Sequence, residues 1–394
     1  MGGDAASLRR ARLDRSSRAV AVGVTKARRG MRRTPGPHRH RPAAGREVRV
    51  RFPPVRCRWA VGPSERVAPG EATSMERFAI GTGRCGSTLL TTMLAEHREV
   101  VGINEFFTGL DWTRRFQPGE VTAGELVELI SADNPVTTDV LARGYDAPEI
   151  QYPFSARSRF SRGDPVPWLL VAMVPRLTDE PDELYDEMME FASSRGDATL
   201  AVHYRELFEW LTQRVGGSIW IERSGSSIDY LGELLDLYPE AKFLHIHRDG
   251  REAALSMRAH PFYRLGVALL HGLVPEIEEG EDEVVALLEH LPAVEAFGRY
   301  WTEQLARGFR ALPRLEPGQY LAVRFEDLIE RPEETISAVA DFFELPADVG
   351  FASRAAAQVH GRPSPRFPDL PANEQQNLAA ACHAGEVLLG RLDR

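Results

Sequence analysis

Lysine is nearly missing from this chain: only Lys26 and Lys242 occur among 394 residues, so almost all of the 48 basic side chains are arginine. An ATP-binding phosphate loop places a lysine on the transferred phosphate and an acid on Mg²⁺, and a chain this poor in lysine has little to build one from. Cysteine is scarce as well. Cys57, Cys85 and Cys382 are odd in number and far apart, which gives neither a disulfide framework nor paired metal-ligand spacing and favours a reducing, cytoplasmic setting. Long apolar runs are also absent, the stretch PWLLVAMV falling well short of the roughly 20 residues that cross a bilayer. No membrane span is expected, and no internal repeat is visible.

What is present, 43% hydrophobic and 27% charged residues, suffices for a soluble globular body of one large or two ordinary domains. The net charge of −9 divides unevenly. Residues 1–74 hold 18 basic against 5 acidic side chains, a net of +13, so the remainder carries −22. The first part is rich in Arg, Pro and Gly with no lasting apolar period; too little apolar surface offsets its chain entropy, which predicts disorder. It fits a basic arm for nucleic acid or an anionic surface, a transit or export segment, or a stretch foreign to the native protein. Met75, immediately before the first strand, favours the last, with one domain over 75–394. A body at −22 repels phosphate backbones, so no nucleic-acid partner is expected.

From Met75 onward, short β-rich runs alternate with amphipathic stretches, the pattern of an α/β domain with a central, mainly parallel sheet flanked by helices. Strands are predicted at 77–80, 99–103, 218–222, 242–247 and 320–323. Helices are predicted over 87–97, 121–131, 180–194, 203–214, 226–237, 250–259, 294–311, 332–343 and 373–390. Two insertions break the alternation: 144–167, loop-like with three arginines, and 260–292, which includes an acidic run. The arginines of the first suit an acidic acceptor, and the apolar start of the second suits a pocket wall. A solvated loop for the first and a packed helix for the second are the simpler readings and are favoured.

Ligands of open parallel sheets bind beyond the carboxyl ends of the strands, so the residues that follow each strand should converge. After the first strand comes GTGRCGST, residues 81–88. Its glycines let backbone N–H groups approach an anion, and the following helix adds its positive N-terminal end. Ser87 and Thr88 supply hydroxyls, and Arg84 supplies the fixed charge that the missing lysine leaves vacant. An ordinary Gly-rich strand-to-helix turn reads the same way. Glu105 follows the second strand at the same sheet edge, where a carboxylate can take a proton from an attacking hydroxyl or merely cap a helix. In KFLHIHRDGREAALSM, Asp249 and Glu252 have capping-box spacing, Arg248 ends the strand, and Ser256 lies about two helical turns on. An Arg plus a Ser hydroxyl suits a second phosphate; Arg248 also suits an ion pair with Asp249 or Glu105. His245 and His247 share a strand face without a third ligand, so no metal site is expected.

GTGRCGSTLL and FLHIHRDGREAALSM together resemble the two nucleotide-binding signatures of the sulfotransferases that use 3′-phosphoadenosine 5′-phosphosulfate (PAPS). IERSGSSIDYLGELLDLYPEAKF and YLAVRFEDLIERPEETISAVADFFELP are similar to two further stretches of that family, and the likeness spans most of 77–346. The resemblance implies a P-loop-like nucleotide-binding fold. In it Gly83, Arg84, Cys85, Gly86, Ser87 and Thr88 hold the 5′-phosphosulfate, and Arg248 and Ser256 hold the 3′-phosphate. An Arg in the loop is similar to the branch of tyrosylprotein and bacterial sulfotransferases, which implies Glu105 as general base. Arg223 falls where the family often has a charge-stabilising lysine, and Phe325 where it often has tyrosine, so a hydroxyl contact is lost there. Also implied is metal-free transfer of a sulfuryl group from PAPS to the hydroxyl of a small molecule, a glycan or a protein tyrosine. The alternative is an ATP-dependent small-molecule kinase with a degenerate loop, against which the missing lysine stands.

Overall fold

The computed structural model describes residues 75–392, so the expectations for residues 1–74 fall outside the described residues. Five strands form the main sheet: β1 (Arg77–Ile80), β2 (Val100–Asn104), β3 (Ile219–Arg223), β4 (Lys242–His247) and β5 (Tyr320–Arg324). Their spatial order is β2-β3-β1-β4-β5, and every pairing is parallel. Parallel strands need crossover helices, which cover both faces of the sheet and require apolar side chains on both. The three inner strands meet that demand. Phe78, Ile80, Trp220 and Phe243 face one core, whereas Ala79, Ile221, Leu244 and Ile246 face the other, as a period of two dictates.

Phe78 anchors the first core. Its ring stacks on Phe243 at 5.5 Å and meets Trp220 edge-on at 5.7 Å, and burying each such ring contributes about 1.5–3 kcal/mol. The second core is closed by α1 (Ser87–Leu94), which lays Leu90, Met93 and Leu94 on the sheet beside Ile336, Val339 and Phe343. His245 belongs to the packed sheet, with Nδ1 2.6 Å from the Tyr320 hydroxyl, and burial holds its imidazole down at about 3.

Three further helices matter for the site: α2 (Gly250–Arg258), α3 (Pro261–Leu270) and α4 (Ala372–Leu388). The 144–167 segment is irregular, as expected, and 260–292 contains α3, the packed helix favoured at its apolar start, and a second helix at Glu283–Glu289. Pro261 stands at the first turn of α3, where its fixed φ and missing N–H cost nothing. The predicted helix over 226–237 divides into a 3-10 turn, Ser227–Tyr230, and an α-helix, Leu231–Leu237. With β1 central and its neighbours β3 and β4 on opposite sides, the crevice of the sheet opens past Ile80, where the glycine loop begins.

Candidate active site

The loop after β1 folds back tightly enough to exclude side chains. A Cβ on Gly81 would fall 2.7 Å from the carbonyl oxygen of Ile246, and one on Gly83 only 1.8 Å from the Tyr263 hydroxyl. Arg84 (φ 60°) and Gly86 (φ 97°) both take left-handed backbone, a conformation by which successive N–H groups in a turn can converge on an anion. Gly86 caps α1 without any side-chain acceptor, and although the Ser87 amide faces the Cys85 sulfur, the amides that follow it in the first turn keep their donors for another partner. Cys85 points its side chain into the core, where burial pushes its thiol up, leaving only its backbone for an anion. Ser87 is half-buried at the helix start, whereas Thr88 is exposed. The Thr82 hydroxyl is buried with no partner among the described residues.

Arg84 reaches sideways to α2, where its Nε–H donates to Ser256 Oγ at 3.2 Å. The two sequence signatures therefore meet. Arg248 lies on the same edge, its guanidinium 4.9 Å over the Phe325 ring, and that ring fills the notch at Gly86, 2.1 Å from where a Cβ would stand. Its carboxylate neighbour is neither Asp249 nor Glu105 but Glu252, at 3.9 Å.

The capping box expected at α2 is only half formed. Asp249 accepts from the Arg251 amide at 2.9 Å, but Glu252 turns away to accept the Arg366 and Phe367 amides, both at 2.8 Å. Glu326 takes the Asp249 amide at 3.1 Å, and Glu386 of α4 takes the Gly250 amide at 2.6 Å. Carboxylates thus take three amides at the start of α2, in contrast to α1. An anion near the second signature has the side chains of Arg248 and Ser256 to bind, not that helix's dipole.

Glu105 and Arg223, at the ends of β2 and β3, form a buried ion pair, Arg223 Nη1 donating to Glu105 Oε1 with side chains only 3% and 5% exposed. Oε2 of Glu105 accepts from the Thr108 hydroxyl at 2.7 Å and from the Gly225 amide at 3.0 Å. Three of the carboxylate's roughly four acceptor sites are filled, which leaves one lone pair. The backbone is equally fixed: Glu105 is left-handed (φ 63°), its N–H meets the Arg223 carbonyl at 2.8 Å, and its carbonyl receives Trp168 Nε1–H at 2.8 Å. Nε of Arg223 is buried without a partner among the described residues, so the guanidinium has a donor to spare.

The sequence did not single out the groups that α3 and the 144–167 segment bring here: Tyr263, whose hydroxyl is 3.1 Å from Ser226 Oγ, and the pair Glu149 and His260. No spacing rule marks residues that approach from two loops. The expectation that arginines of 154–163 attract an acidic acceptor meets a physical objection, because Arg159 spends its charge on Asp182 and Asp186, and Arg162 on Asp146. Lys242, the lysine of the described residues, starts β4 at the end of the sheet away from the loop, where Nζ donates to the Phe342 carbonyl at 2.8 Å and Glu344 at 2.6 Å. No helix among the described residues is long and apolar enough to cross a membrane, and no cluster of His, Cys, Asp and Glu there has metal-binding geometry.

Residues 170–349 match the family model described as the sulfotransferase family, a segment that includes Arg223, Arg248 and Ser256. A curated relative, an uncharacterized protein of Aquifex aeolicus, is 26% identical over 130 residues, which cover 32% of this chain and only 14% of that protein. Among solved structures, the sulfotransferase domain from the curacin biosynthetic pathway aligns at 15% identity and TM-score 0.37 over 78% of this chain and 98% of that one. Sulfotransferase STF9 from Mycobacterium avium aligns at 17% identity and TM-score 0.38 over 82% and 78%. At such TM-scores the fold assignment rests on the chain's own strand order and not on these alignments. Over residues 170–349, the chain is similar to the sulfotransferase family.

Proposed function

We propose that this protein transfers a sulfuryl group from PAPS to an acceptor hydroxyl, with residues 75–394 as the catalytic domain. The observation that carries the reading is the meeting of Arg84 with Ser256, which joins the glycine loop to the second signature at one sheet edge. The residues present suit a nucleotide with an anion at each end. The open amides of α1, the unpartnered Thr82 hydroxyl and the spare Nε–H of Arg223 serve the 5′-phosphosulfate, and Arg248 and Ser256 serve the 3′-phosphate. Cys85 and Cys382 are buried and free, in keeping with a cytoplasmic protein.

In the proposed step the acceptor oxygen attacks sulfur in line, an O–S bond forms, and the S–O bond to the nucleotide breaks. The acceptor's proton passes to the free lone pair of Glu105. The electron pair left on the bridging oxygen is stabilised by the loop amides, Arg84 and Arg223, donors fixed before the reaction begins. No step needs a metal. A sulfuryl group carries less charge than a terminal phosphoryl group, which accounts for a loop without lysine.

Incubation with labelled PAPS and a panel of small-molecule, glycan and tyrosine hydroxyls tests the function. Transfer to any of them supports it, whereas binding of ATP·Mg²⁺ in preference to adenosine 3′,5′-bisphosphate (PAP) would speak for a kinase. Glu105→Gln should lower turnover by about 10²–10⁴ while PAP affinity holds.

A further inference from the structure

Two segments outside the regular α/β alternation reach the loop and join there. Glu149, from 144–167, and His260, immediately before α3, are 111 positions apart, and His260 Nε2 lies 2.9 Å from Glu149 Oε2. Burial alone would raise the Glu149 carboxyl, but the hydrogen bond and charge of His260, together with Arg84, hold it down at about 2. It is therefore an anion at any working pH, and an anion makes Nε2–H of His260 the donor. The imidazole is itself only 4% exposed, and its Nδ1 has no partner among the described residues, so Glu149 is its one polar anchor there. The other carboxylate oxygen stands 3.7 Å from Arg84 Nη1.

We infer that Glu149, pinned by His260, is a positioning residue for Arg84. The inference rests on the sulfotransferase reading and extends it. An arginine on a left-handed backbone at the lip of a pocket, 30% exposed, has a long side chain with several rotamers open to it. Ser256 accepts from its Nε edge, and the charge of Glu149, 3.7 Å away, draws the Nη1 end without a direct hydrogen bond. Held at one end and drawn at the other, the guanidinium plane is set before the donor arrives, which speeds a reaction by orientation and preorganised charge. An exposed ion pair by itself is a weak brace. Glu149 differs because His260 denies it other rotamers.

The same carboxylate has a second, opposite effect: a negative charge beside an anion pocket weakens ground-state binding of an anion. Positioning and affinity are therefore separable. Neutralising Glu149 should leave PAP bound as tightly as before or more tightly, yet slow the transfer. A brace that only stiffened the two segments would lower thermal stability and change both constants together.

The experiment compares the wild-type chain with Glu149→Gln, His260→Ala and His260→Gln. PAP affinity is measured by calorimetry, thermal stability by unfolding, and kcat by release of labelled sulfuryl from PAPS to water or to the best acceptor of the panel. For Glu149→Gln the expected result is a kcat lower by about 10- to 100-fold with a PAP Kd no weaker than wild type. His260→Ala should follow it, and His260→Gln, whose side-chain amide can still donate to Glu149, should recover much of the loss. Wild-type kcat in Glu149→Gln, or loss of PAP affinity in step with kcat, overturns the inference while leaving the sulfotransferase reading intact. If Glu149→Gln fails to fold, the His260 pair decides: equal kcat in His260→Ala and His260→Gln contradicts it. A wild-type chain that neither binds PAP nor turns over PAPS overturns the functional reading and this inference together.

Discussion

Arg84 and Ser256 are 172 positions apart, yet the loop arginine's Nε–H donates to the helix serine's Oγ at 3.2 Å. This one contact ties the glycine loop after β1 to the helix after β4. Ser256 is also one of the two side chains proposed for the 3′-phosphate, so loss of its hydroxyl is expected to cost PAP affinity directly.

Ser256→Ala should therefore weaken PAP by about 2- to 10-fold, the range of one hydrogen bond of about 0.5–1.5 kcal/mol. Ser256→Thr keeps the oxygen and should stay close to wild type. Calorimetric titration with PAP checks both.

The Glu105–Arg223 pair is buried, and breaking it from one side strands a charge. Glu105→Ala should cost about 3–5 kcal/mol in denaturant-induced unfolding, because the Arg223 guanidinium loses its counter-charge. Glu105→Gln retains an acceptor and should cost less. A loss of activity in the alanine variant alone thus reports on folding as well as on proton transfer, which makes glutamine the informative replacement.

All five strands of the main sheet were legible in the sequence, because β1, β3 and β4 are short apolar runs bounded by turn residues. Other elements carried no such signal. The helix Trp168–Ala172 is buried on every side, so it has no polar face and no period. Phe325–Glu330 follows β5 with no intervening turn, and α3 lies in a stretch that reads as an insertion. The glycine loop was legible because positive φ and close approach restrict the residue type. The Glu105–Arg223 pair was not, since nothing local links side chains 118 positions apart. The half-formed capping box at α2 shows why spacing alone misleads: Glu252 has better partners in the Arg366 and Phe367 amides.

Gly86 combines two demands, a left-handed φ of 97° and a Phe325 ring 2.1 Å from the Cβ position. Gly86→Ala should cost more than about 1 kcal/mol of stability and weaken PAP binding. Adding Phe325→Ala relieves the clash but not the strain in φ, so the double variant should remain less stable than Phe325→Ala alone in thermal unfolding.

Glu222, buried on β3, receives the Ser224 hydroxyl at 2.6 Å, yet burial pushes its carboxyl up to about 8. Between the ordinary carboxylate range and that value, the folded protein keeps a proton the unfolded chain releases. Stability contributed by this group therefore falls as pH rises across the interval, and the penalty is complete above about pH 8. Glu222→Gln should be more stable than wild type at about pH 9 and closer to it at about pH 5, as measured by urea denaturation.

The most direct test of the two-anion edge is equilibrium binding of PAP against adenosine 5′-monophosphate, which differ only in the 3′-phosphate. The account predicts that wild type prefers PAP by about tenfold or more, that Arg248→Ala erases the preference, and that Arg84→Ala weakens both nucleotides alike. Equal affinity for the two in wild type, or a preference that survives Arg248→Ala, would contradict it.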